Sequence, residues 1–275
     1  MGQLMDFAHC WSGSSFFGSI CSPCDPEQLE PAMPSSTSPM NEEICKTARM
    51  HPVMWEVMPI FMGVFGGALF CLPITREFPI AHLLAVAVYL STDVELLINA
   101  PRVPGTHWNW IGKIFSLMLA LVAGRILCLT RQEVGLVRPQ INGWLGVFVG
   151  CTVAAVLIAT FVLPNPNHRS FDTEAFLYQS TMPGLAEEIA YRGIALAFLL
   201  RGYKEVAPGR KGSAVVVISA FTFGLIHALS RNDLGWQFRG SIFFPIFFLG
   251  LLCGFLRWAT SSVMAPILVH NADNL

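Results

Sequence analysis

Apolar runs long enough to cross a bilayer recur along most of this 275-residue chain, and they decide its fold class before any single residue is read. A helix of about 20 apolar residues bridges the roughly 30 Å of hydrocarbon in a membrane. Candidate spans of this kind fall at 53–74, 80–98, 111–129, 143–163, 175–200, 213–230, 241–257 and 258–275. With no water at that depth to take up backbone hydrogen bonds, runs of this length have to be helices. The sequence therefore predicts an all-α fold: a polytopic membrane bundle of about eight transmembrane helices, with a polar intramembrane cavity. Composition agrees, because only 13% of the residues are Asp, Glu, Lys or Arg while 53% are hydrophobic. A soluble chain is about 25% charged.

The remainder divides simply. Residues 1–50 are rich in Ser, Pro, Glu and Met and read as a polar, flexible N-terminal tail closed by a short interfacial helix near 42–50. Residues 51–275 form the transmembrane domain. The opening residues carry no positive charge, so a cleaved signal peptide is not expected. A formal net charge of -1 excludes the basic stripe that nucleic-acid binding needs. Cys71, Cys128, Cys151 and Cys253 lie in apolar segments and read as small hydrophobes. Cys21 and Cys24 have a CxxC spacing with His9 nearby, too few ligands for a zinc site. Positive charge is only slightly asymmetric across eight alternating spans, leaning toward an outward-facing N-terminus.

Ionisable side chains at membrane depth are costly, so each is a candidate for function. The fifth span holds Glu187, Glu188 and Arg192. Glu188 and Arg192 are one helical turn apart and can pair, while Glu187 is rotated by about 100° and faces the cavity. A carboxylate so placed can take and return a proton. In the sixth span Phe223 and His227 share a face, and Gly224 admits a neighbouring helix. In the last span His270 and Asn274 share a face, with Asp273 placed to orient the imidazole. Histidine with asparagine can supply donors to a developing oxyanion. In alternating spans Glu187, His227, His270 and Asn274 all fall toward one membrane face, as a shared site requires. Asp93, Glu95, Lys113 and Arg125 are expected to pair among the early spans or to snorkel.

These segments resemble the CPBP family of intramembrane proteases, which includes the eukaryotic CAAX prenyl endopeptidase and bacterial homologues. Its EExxxR motif corresponds to Glu187, Glu188 and Arg192, its FxxxH motif to Phe223 and His227, and its HxxxN motif to His270 and Asn274. The resemblance covers about 180–275 and implies a catalytic core at 175–275. It implies that Glu187 activates water with help from His227, and that His270 and Asn274 stabilise the oxyanion. Glu188, Arg192 and Phe223 would support the site. The substrate implied is a protein or peptide, in prenylated-protein processing one that loses three residues after its lipidated cysteine. No cofactor is implied. Zinc held by Glu187, His227 and His270 is the less favoured alternative, since HExxH is absent. The chain has one residue after Asn274, so that side chain is expected to depend on how firmly the last helix is clamped. Such a multi-pass protein would sit in a bacterial inner membrane or the endoplasmic reticulum. Two rival readings are a non-proteolytic binding or immunity scaffold and a proton-coupled transporter using Glu187 and His227.

Overall fold

The computed structural model describes residues 52–140, 142, 143, 145, 146, 148, 150–154, 172–232 and 235–275. The expected polar tail, its CxxC pair and most of the fourth span lie outside these residues. The chain divides into two compact units, Met1–Glu56 and Val57–Leu275. The second carries every contact described below.

The described elements are helices α1 (Pro52–Thr75), α2 (Ile80–Asn99), α3 (Trp110–Ile126), α4 (Arg131–Val134), α5 (Thr173–Gln179) and α6 (Met182–Glu188). A π-helical stretch, Ile189–Ala195, continues α6 directly into α7 (Leu196–Gly202). Helix α8 (Pro208–Ala228), strands β1 (Leu229–Asn232) and β2 (Gly235–Phe238), α9 (Gly240–Thr260) and α10 (Met264–Asp273) complete the order. Among the described residues four helical stretches are long and apolar enough to cross a membrane: Val57–Thr75, Ile80–Asn99, Pro208–Ala228 and Gly240–Thr260.

The fold is thus a helical bundle with long apolar helices, and it departs from eight simple spans in three places. The fifth expected span is broken before Met182. Asp172 caps α5 by accepting hydrogen bonds from the backbone N–H groups of Glu174 and Ala175, and Pro183 then starts α6. The expectation of an all-α chain misses a β-hairpin after α8, in which Leu229 pairs with Phe238 and Asn232 with Gly235. The last expected span is only the 10-residue α10, about 15 Å long, or half the hydrocarbon thickness. Ser261, at φ 55°, ends α9, so 258–275 is a turn followed by a half-length helix.

Helix α8 is the bundle's centre because small residues let two neighbours approach it closely. Against α1, a Cβ on Gly63 would stand 2.5 Å from Thr222 Cα, and one on Gly67 3.1 Å from Ile218 Cα. The Cys71 thiol donates to the Ala214 carbonyl at 3.7 Å, one further turn along the same antiparallel seam. Against α9, a Cβ on Gly250 would meet Ala220 Cα at 3.0 Å, and Gly224 faces the Phe243 ring. In hydrocarbon, where apolar surface gains nothing by leaving lipid, such close backbone packing is the main source of helix association.

At the opposite end of α8 from the hairpin, the connection 127–140 is tied to α7, α9 and the turn after α9. The Arg201 guanidinium donates to both Glu133 carboxylate oxygens at 2.7 and 2.8 Å and to the carbonyls of Leu127 and Cys128. Arg257 Nη2 donates to the Glu133 carbonyl at 2.6 Å, and Ser262 Oγ donates to the Val137 carbonyl at 2.7 Å. Gly135 has φ 79°, and its missing Cβ leaves the space that the Arg257 guanidinium fills.

Gly63→Leu should lower the thermal unfolding midpoint in detergent, by about 1–3 kcal/mol of overpacking. Gly209→Ala, where a Cβ meets nothing within 4 Å, should leave it unchanged. A second expectation concerns pH. The Arg201 hydrogen bonds hold the Glu133 carboxyl at about 2, below its usual 4.5. A lowered carboxyl pKa stabilises the folded state above the unfolded value, and that stability fades as pH falls from about 4.5 to about 2. Glu133 is a third exposed, so the contribution is about 1 kcal/mol or less. Glu133→Gln should therefore destabilise the protein modestly at pH 7, with the difference closing by about pH 2 in unfolding titrations.

Candidate active site

Helix α6 presents its two glutamates in the turn just before the backbone widens into the π-helical stretch. Helical interruptions of this kind are frequent at functional sites. The two carboxylates point to different partners. Glu188 is fully buried, and its Oε1 accepts from Arg192 Nη1 at 3.2 Å and from His270 Nδ1 at 2.7 Å. It therefore bridges its own helix to α10. The Glu188–Arg192 pairing foreseen from their spacing is present. The imidazole of His270, however, is oriented by Glu188 from another helix, and Asp273 does not make that bond.

Glu187 Oε1 is held by the Lys113 ammonium of α3 at 2.5 Å. This corrects the expectation that Lys113 serves only the early spans. Its other oxygen, Oε2, lies 3.8 Å from His270 Nε2, beyond hydrogen-bonding distance. Glu187 also lies within electrostatic reach of His227. The His227 Nδ1 is 2.8 Å from the Phe223 carbonyl. A carbonyl only accepts, so Nδ1 carries the proton, and in the neutral ring Nε2 holds the lone pair.

Phe223 organises these groups from beneath. Its ring lies 4.6 Å from that of His227, 5.7 Å from that of His270 and 5.1 Å from that of Tyr191, and the Arg192 guanidinium carbon sits 4.5 Å above it. A guanidinium over an aromatic face is attracted by the ring's quadrupole. The missing side chain of Gly250 makes room on the other side, since a Cβ there would stand 3.1 Å from Arg192 Nη2.

Glu187, His227 and His270 are thus brought together, with Glu188, Arg192 and Phe223 supporting them. Asn274 follows one turn after His270, and its buried amide has no hydrogen-bond partner among the described residues. The neighbouring Asn271 supplies the clamp. Its Oδ1 accepts from the Gly184 N–H at 2.8 Å, and its Nδ2 donates to the Thr181 carbonyl at 3.2 Å, fastening α10 to the start of α6. Gly184 has no room for a side chain, because Asn271 occupies the place of its Cβ. Sequence reasoning missed Lys113 and Asn271. The signal for Lys113 was an isolated cation in an apolar run, whereas Asn271 had only its place inside the HxxxN motif. Among the described residues no group of three or more His, Cys, Asp or Glu side chains is arranged to hold a metal ion.

Asn271→Ala should cost about 1–3 kcal/mol in thermal unfolding, since it strands the buried Gly184 N–H. Asn274→Ala removes an amide that bonds to nothing described and should cost less than about 0.5 kcal/mol.

No curated protein and no solved structure matches the chain. Residues 169–275, the segment that carries all three motifs and the site built from them, match the Rce1-like family of type II CAAX prenyl endopeptidases, within the CPBP proteases.

Proposed function

We propose that this chain is an intramembrane endopeptidase that hydrolyses a peptide bond near the membrane surface by a glutamate-activated water. The observation that carries this reading is the meeting of Glu187 Oε2, His270 Nε2 and the His227 ring over Phe223, within the segment that matches the endopeptidase family.

In this mechanism a water donates its two hydrogens to Glu187 Oε2 and His227 Nε2, which leaves an oxygen lone pair for the scissile carbonyl. Attack forms the O–C bond, and Glu187 takes the water's proton. His270 and Asn274 donate to the resulting oxyanion. With His270 Nδ1 engaged by Glu188, Nε2 is the ring atom left to face the oxyanion. Collapse of the tetrahedral intermediate breaks the C–N bond, and the Glu187 proton passes to the leaving amine. No metal enters these steps.

The position of Glu187 near a helix start suits cleavage close to the surface. Glu187 is the sixth residue of α6, about 8 Å along the helix from its first residue. The substrate is a protein or peptide segment lying in the membrane, and the CAAX-type relationship makes a C-terminally prenylated one the first to test. The long apolar helices support a membrane protein, and on this reading it is a multi-pass protein of the endoplasmic reticulum or a bacterial inner membrane.

The test is cleavage by the purified chain in lipid, using a panel of prenylated and unprenylated C-terminal peptides. Glu187→Gln should lower kcat by at least about 100-fold, and wild-type cleavage should survive a strong zinc chelator. Chelator-sensitive cleavage restored by zinc would overturn the metal-free mechanism. If folded wild-type protein cleaves no peptide, the endopeptidase reading fails.

A further inference from the structure

Two adjacent carboxylates in a nearly dry helix pose an electrostatic problem that the structure resolves with two separate cations. Arg192 and His270 serve Glu188. Glu187 is left to Lys113, the fourth residue of α3, which is only 8% exposed. A buried ammonium is costly unless paired, and its one described hydrogen bond goes to Glu187 Oε1. We infer that Lys113 is the counter-ion and positioning residue of Glu187, occupying Oε1 so that Oε2 is the oxygen presented to His270. This rests on the hydrolytic reading of Glu187.

The surroundings support that role. The groups within electrostatic reach of this pair come from every side: Asp93 from α2, Tyr178 from α5, His227 from α8 and His270 from α10. Asp93 is 2% exposed and adds a third carboxylate. Without Lys113, Glu187 would face two buried carboxylates, Asp93 and Glu188, with only the histidines and Arg192 to offset them. A carboxyl in that position is neutralised by a proton, and a protonated carboxyl cannot accept one from water. Lys113 contacts the catalytic carboxylate, and nothing in the geometry requires it to touch substrate.

The experiment uses the full chain in lipid with the variants Lys113→Met, Lys113→Arg and Lys113→Met/Glu187→Gln. Its first arm needs no activity. Dicyclohexylcarbodiimide, which modifies protonated carboxyls in apolar surroundings, is added and labelling at Glu187 is read by peptide mass spectrometry. Wild type and Lys113→Arg should be protected, and Lys113→Met should label at least about tenfold faster. Equal labelling of Lys113→Met and wild type would overturn the inference. The second arm is cleavage. Lys113→Met should lower kcat by about 100-fold with KM within about threefold, and Lys113→Arg should recover most of the rate. A raised KM with kcat retained would overturn the inference by making Lys113 a substrate contact. The double variant, which removes both charges of the Lys113–Glu187 pair, should unfold no earlier than Lys113→Met and so separates misfolding from the charge effect. If wild type cleaves nothing, the endopeptidase reading falls, while the labelling arm still decides whether Lys113 is the counter-ion.

Discussion

Separating the charges of Glu187 and Glu188 is the constraint from which the rest of the site follows. Two neighbouring carboxylates cannot both stay ionised at membrane depth unless each has its own positive partner. Helix geometry turns them about 100° apart, so their partners have to come from different places. Glu188 finds one cation on its own helix and a histidine on α10. Glu187 finds its cation on α3. Three helices that are distant in sequence are thereby held at one level, and the remaining oxygen of Glu187 is directed toward His270.

Much of this was legible in the residues. The four-residue spacings of Glu188 with Arg192 and of Phe223 with His227 fix pairs within one helix, where periodicity is a reliable guide. Gly224 announced a close helix neighbour, and Phe243 of α9 fills that place. Periodicity says nothing about which helices become neighbours, and there the reading fell short. Lys113 gave no hint of its partner 74 positions away. Asp273 looked well placed to orient His270 because it is near in sequence, yet the bond comes from Glu188, 82 positions away.

Where individual spans begin and end was harder to read, for a related reason. Hydropathy measures how apolar a run is, and it does not register where the backbone bends. The run 258–275 is apolar enough to read as a span, but Ser261 turns the chain and α10 covers only half the distance. A short helix suffices because His270 has to reach only the level of Glu188. The break before Met182 likewise leaves the Gly184 N–H without a backbone partner, and Asn271 accepts from it.

The small-residue seams on both sides of α8 carry a consequence of their own. At Gly63, Gly67 and Gly250 the neighbouring main chains nearly touch, so helix positions there are set by covalent geometry, with no rotamers available to absorb error. Helix α8 is therefore gauged from two sides, and His227 near its end inherits that tolerance. A protein assembled this way has little freedom to shift α8. On the hydrolytic reading proposed above, variation in what it accepts would then arise in the side chains around the site.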